Sequence, residues 1–253
     1  MIEASEQPEN RWLWPPAVMA AAIAVVVFVV AVLVGMAWWL ALIVAVVVAP
    51  VVPAVLVMRV DTMISSAVAG GPADEHAHAR LLNQLEGICL THGINPPEVL
   101  VVTDPHPSAM VFGRSRSHAT IVATTGLLDR LSVIETEAVA AHLLGRIRTG
   151  DAQVDTIGAL FCARLLGPFG DLGTSTLAAL RGNQRDVVAD LEGVRLTRYP
   201  PGLIQAYSSI VVAEGRVDTP EWIRHLWIDE AVPGAKADWP RVLDDRITVL
   251  REI

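Results

Sequence analysis

His142 and Arg146 stand one helical turn apart, the spacing at which a metal-binding helix places two ligands. Positions i and i+4 share one face of a helix, so imidazoles there converge on a single cation. A glutamate directly after the first can act as general base on the bound water, which gives the pattern H-E-x-x-H and the chemistry of metal-assisted hydrolysis. The segment Glu137–Ala138–Val139–Ala140–Ala141–His142–Leu143–Leu144–Gly145–Arg146–Ile147–Arg148 keeps only the first member. Leu143 sits at the base position and cannot take a proton. Arg146 sits at the second ligand position, where a guanidinium has no lone pair to give. One surviving histidine in a five-residue pattern identifies nothing by itself.

Other chemistries find less support. Cys89 and His92 read as a core thiol and a surface imidazole. Gly167–Gly173 lacks the G-K-[ST] of a phosphate loop, and no G-x-S-x-G is present. Arg114 and Arg116 flank a strand and need no ligand. The net charge is −8 and Lys236 is the one lysine, so no basic stripe exists for a phosphate backbone and nucleic-acid binding is disfavoured. Two cysteines, Cys89 and Cys162, give no disulfide framework and fit a reducing compartment.

The elements around His142 follow from local signals. Ser132, with Glu135 three residues on, forms a capping box that starts a helix at Ile134, and Gly150 ends it. Upstream, Leu81, Leu82, Leu85, Ile88 and Cys89 recur at helical spacing between Asp74 and Gly93. Val99–Val102, Met110–Phe112 and Thr120–Ala123 are short strands of a small sheet. Downstream, Ile157–Leu166 is too short to cross a bilayer and reads as a packed helix. Helical patterns follow at Thr174–Leu196, Gly202–Val212 and Arg241–Ile253.

Toward the N-terminus, positions 12–58 carry no charge. One helix of that length would measure about 70 Å against a hydrocarbon core of about 30 Å, so two spans are expected, at 14–34 and 38–58. Gly35–Met36–Ala37 is the turn, and Trp12, Trp14, Trp38 and Trp39 fall at the water interfaces. Pro50 and Pro53 should kink the second span. The flanking cations are Arg11 and Arg59, while the turn has none, which favours a cytoplasmic N-terminus and soluble domain. The expected organisation is a tail over 1–11, a transmembrane hairpin over 12–58, a linker over 59–73 and a domain over 74–253.

The segment from His76 onward resembles the HtpX-like membrane metalloproteases of gluzincin type. Ser108–Ala109–Met110–Val111–Phe112–Gly113–Arg114 is similar to their N-A-F-A-x-G-R. Thr124–Thr125–Gly126–Leu127–Leu128–Asp129–Arg130–Leu131 is similar to T-x-G-L-L-x-x-L. Glu137 to His142 follows the entry to the zinc helix, and Asp151 the Asp that closes it. Arg185–Asp186–Val187–Val188–Ala189–Asp190 is similar to R-E-x-x-A-D. His225–Leu226–Trp227 and Arg246–Ile247 follow the C-terminal pattern.

The resemblance implies an α+β, mainly helical, zincin-like domain with a small sheet behind a two-helix membrane hairpin. It makes His142 a remnant zinc ligand, Asp190 the partner that orients its ring, and Asp186 a shortened stand-in for the glutamate ligand. Arg146 is expected either in solvent or paired with Asp186 in place of the metal. The histidine due shortly before Arg246 is missing, since the chain reads Asp238–Trp239–Pro240–Arg241. No catalytic residue, metal ligand set or cofactor is expected to be complete. The expectation is thus a pseudoprotease, a scaffold or regulatory subunit of a membrane complex, whose partners are the lipid bilayer and other membrane proteins. Its former substrate cleft would hold a peptide without cutting it. The alternatives are an active zinc endopeptidase of membrane-protein quality control using non-standard ligands, and new chemistry around His142, Asp186 and Asp190.

Overall fold

The computed structural model describes residues 11–181, 185–213, 215–230 and 239–252. The tail expected over 1–11 therefore lies outside the described residues apart from Arg11, and so do the side chains of Lys236 and of the Asp238–Arg241 stretch.

After a single turn at Arg11–Leu13, α1 (Trp14–Leu33) is apolar on every face, with Pro15 in its first turn, where the missing N–H costs little. Gly35 takes φ +90°, a conformation free of strain only for glycine. There its N–H reaches Val32 O at 2.9 Å, and Met36 N–H reaches Ala31 O at 3.0 Å. Helix α2 (Trp38–Val48) packs on α1. Ala41, Ala45 and Ala49, one per turn, are buried, a small-residue stripe of the kind that lets apolar helices approach closely. Pro50 and Pro53 mark the junction with α3 (Val51–Val68). Arg11–Leu33 and Trp38–Val68 are both long and apolar enough to cross a membrane.

The linker expected over 59–73 is largely absent. Helix α3 continues past Met58 to Val68, and Gly71–Pro72 forms a short strand, β1. Packing winds these extra turns. Ile64 and Val68, four apart, are buried, and the Asp61 carboxylate accepts the Arg114 backbone N–H at 3.0 Å. The chain divides within this helix into one unit ending at Val60 and another beginning at Asp61.

In the second unit, Asp74 accepts the backbone N–H groups of His76 and Ala77, and α4 (Ala79–His92) starts after that turn and stops at Gly93. Strands β2 (Glu98–Val102), β3 (Ala109–Ser115) and β4 (His118–Thr124) join β1 in the order β1-β2-β4-β3. The β2–β4 pair is parallel and the β3–β4 pair is an antiparallel hairpin, so β3 is an outer strand. Thr124 caps α5 (Thr125–Arg130).

Helix α6 (Val133–Thr149) carries the expected Ser132–Glu135 capping box and ends at Gly150, φ +83°. It runs through the middle of the unit, buried at almost every position from Thr136 to Ile147. Helix α7 (Asp151–Gly158) leads into π-helical turns at Ala159–Leu165, the buried apolar segment expected there. The remaining helices are α8 (Asp171–Arg181), α9 (Arg185–Thr197), α10 (Pro200–Val212), α11 (Glu221–Arg224) and α12 (Trp239–Leu250). The helical pattern read at Thr174–Leu196 falls on α8 and α9, and positions 182–184 between them lie outside the described residues. The α+β, mainly helical fold class holds.

Candidate functional site

Two glycines decide how closely α6 and α9 cross. A Cβ on Gly193 would stand 2.8 Å from His142 Cα and 2.9 Å from its backbone N. A Cβ on Gly145 would meet Ala189 O and Gly193 N at 3.1 Å. With no side chain at either place, the α9 backbone lies on the α6 backbone, and Asp190 Oδ1 comes within 2.8 Å of His142 Nδ1. The two atoms are close but not aligned as a hydrogen bond. Burial lowers the His142 pKa. Asp190 pulls it upward, and Arg246 and Arg146 pull it down again, so the imidazole is neutral at pH 7.

Asp190 is the centre of a buried cluster drawn from four helices. Arg246 from α12 grips it bidentately, Nε to Oδ2 at 2.7 Å and Nη2 to Oδ1 at 2.6 Å. The Tyr207 hydroxyl from α10 donates to Oδ1 at 2.5 Å, and the Arg246 guanidinium lies 4.4 Å over the Tyr207 ring. Burial alone would raise the Asp190 pKa. The Arg246 charge outweighs it and holds the carboxyl well below the usual range.

A second buried cluster surrounds Arg146. Its Nη2 pairs with Asp155 Oδ2 on α7 at 2.5 Å, and its Nη1 donates to Leu226 O at 3.0 Å. Arg181 from α8 approaches Asp155 Oδ1 with Nε at 3.1 Å, Asp186 Oδ1 with Nη2 at 3.1 Å and His225 O with Nη1 at 3.3 Å. The expected Arg146–Asp186 pair is therefore not the one formed. After Gly150 the chain reverses and α7 carries Asp155 back to Arg146, while Asp186 is already taken by Arg181. Burial favours a neutral Asp186, but the Arg181 charge outweighs it and lowers the pKa. Sequence reasoning missed Asp155, Arg181 and Tyr207.

The model of Peptidase family M48 matches residues 75–199, from the approach to α4 to the end of α9. The "Protease HtpX homolog" of Tropheryma whipplei is 31% identical over 189 residues, which cover 61% of this chain and 64% of that protein. That of Dictyoglomus thermophilum is 30% identical over 164 residues, or 51% and 53%. That of Ligilactobacillus salivarius is 25% identical over 237 residues, 79% of each. These matches support an HtpX-like member of peptidase family M48. The chain spans less than two thirds of the first two of these relatives. No solved structure matches it.

The residues at the family's metal positions do not fit a three-ligand site. His142 keeps a neutral imidazole, but the next ligand position holds a guanidinium committed to Asp155 and to a carbonyl. Asp186 is committed to Arg181, and Leu143 is packed in the core. Among the described residues no three His, Cys, Asp or Glu side chains converge on one point. The crossing of α6 and α9 thus carries two buried clusters of ion pairs, one around Asp190 and one around Asp155.

Proposed function

We propose that this chain is a catalytically silent, membrane-anchored M48 homologue that serves as a scaffold or regulatory subunit of a membrane complex. The observation that carries this reading is Arg146, buried at a metal-ligand position and bonded to Asp155 and Leu226. A fixed cation there repels a dication, and Leu143 offers no base. No cofactor is proposed, and no nucleic-acid partner. The partners are the bilayer and other membrane proteins, in keeping with two apolar helices and an acidic remainder.

Purified protein should hold well under one zinc per chain by elemental analysis, leave casein uncut and show no rise in melting temperature on zinc addition. Stoichiometric zinc together with casein cleavage that His142→Ala abolishes would restore the active-peptidase reading, with non-standard ligands.

Orientation is proposed from the cation-free turn between α1 and α2, which places both termini and the soluble unit in the cytoplasm. Cys89 and Cys162 are buried, so an impermeant thiol reagent should report introduced cysteines cleanly. In intact cells Met36→Cys should label strongly and Met1→Cys weakly. The reverse pattern would invert the topology.

A further inference from the structure

The outer edge of β3 is occupied by the chain itself. Thr124 N donates to Ser108 O, and Met110 pairs with Val122. By alternation, Met110 and Phe112 turn their backbone groups toward β4, and Ala109, Val111 and Gly113 turn theirs outward. An outward row of this kind is where an extended peptide adds as a further strand. Here Ile228 N–H donates to Ala109 O at 2.9 Å, and Met110 bridges antiparallel to Trp227, which sets Leu226 opposite Val111. Farther along, Gly113 N–H donates to the Thr156 hydroxyl at 2.8 Å.

The other side of the same segment is held by arginine. Arg181 donates to His225 O at 3.3 Å, Arg146 to Leu226 O at 3.0 Å and Arg246 to Ile228 O at 3.1 Å. All three guanidinium groups are buried and each is charge-paired with an aspartate. Charged donors of this kind make the stronger hydrogen bonds.

We infer that residues 225–228 are an internal occupant of the peptide edge, a strap latched by Arg146, Arg181 and Arg246 that closes β3 to extended peptides. The inference rests on reading α6 and β3 as the remnant of a peptidase cleft. It replaces the open cleft expected from the sequence with a filled one. Arg146 then has a positive role, because it supplies a donor to a backbone carbonyl where a ligand histidine would supply a lone pair. A partner that uses this edge must displace the strap, and release of the Leu226 carbonyl is the opening step.

The test compares full-length protein in micelles with two sets of variants. Arg146→Met removes the latch, fills similar volume and leaves Asp155 its Arg181 partner. The pair Met110→Cys with Trp227→Cys locks the strap when oxidised, since residues facing each other across a bridge without mutual hydrogen bonds are close enough for a disulfide. The probe is fluorescein-labelled, reduced and carboxymethylated α-lactalbumin, a permanently unfolded chain, followed by anisotropy. Arg146→Met should bind it about tenfold more tightly than the unmodified protein and speed exchange of the Ile228 amide by about the same factor, the effect of one lost charged hydrogen bond. The oxidised lock should cancel the gain, and reduction should return it. Equal probe binding with and without the lock would overturn the strap. So would an Ile228 amide that exchanges at the free-chain rate in unmodified protein, a measurement that needs no variant to fold. Zinc content and casein cleavage are unaffected by either outcome, so a failed strap and an active peptidase are told apart.

Discussion

Replacing Asp155 with alanine is expected to destabilise the C-terminal unit by on the order of 3–5 kcal/mol, more than any other single charge removal around Arg146. Asp155 is the carboxylate shared by Arg146 and Arg181, at 2.5 Å and 3.1 Å. Without it two buried guanidinium groups lose their shared partner, and Asp186, with its side chain 37% exposed, is bonded to Arg181 alone of the two. Loss of Arg146 is milder because Asp155 keeps Arg181. Thermal unfolding in micelles should show the Asp155→Ala midpoint lower by on the order of 10 °C. Combining Asp155→Leu with Arg146→Met should recover part of the loss, because the stranded charge goes with its partner. Asp186→Ala combined with Arg146→Met should be close to additive, since those two groups share no bond. Strong coupling between Arg146 and Asp186 and none between Arg146 and Asp155 would mean that the arginine turns the other way.

The second large effect is acid sensitivity between pH 6.5 and 4. Burial, reinforced by Arg181, lowers the His225 pKa from 6.5 to about 4, and burial lowers that of His142 as well. Through this window the unfolded chain takes up protons that the folded chain refuses, so stability falls as pH falls. His225 contributes a slope of about 1.4 kcal/mol per pH unit, about 3 kcal/mol across the window, and His142 acts in the same direction. The depressed aspartates act elsewhere. Asp190 keeps its full contribution above its unfolded pKa near 4 and loses it only as pH falls further, through its folded value. Urea unfolding at steps between pH 7 and 4 should therefore show a decline that begins near 6.5, and His225→Gln should make it shallower by about 3 kcal/mol over the window. A flat profile above pH 4.5 would mean that neither imidazole is buried neutral.

Local structure was legible in the sequence, and partner choice was not. The Ser132–Glu135 box, the stops at Gly93 and Gly150, the three longer strands and the hairpin turn at Gly35 all depend on neighbours within a few residues. Asp155 is equally plain as a residue, an acid between Val154 and Thr156, but its partner depends on the chain reversal after Gly150. Periodicity along α6 carries no information on that reversal. The extra turns of α3 were hidden for the same reason. The buried faces of Ile64 and Val68, with the Asp61–Arg114 contact, keep it wound past Met58. The approach of His142 and Asp190 follows from the close crossing of α6 and α9, whereas the partner of Arg146 is set by where α7 returns.

What Gly193 touches is the main chain of residue 142, not its imidazole. The crossing is therefore blind to which side chain position 142 carries, and cannot tolerate even a methyl group at position 193. The two constraints are separable: a change of side chain at 142 alters the chemistry available there without touching the contact between the two main chains. A sequence change that keeps Gly145 and Gly193 therefore keeps this contact, whatever stands at 142.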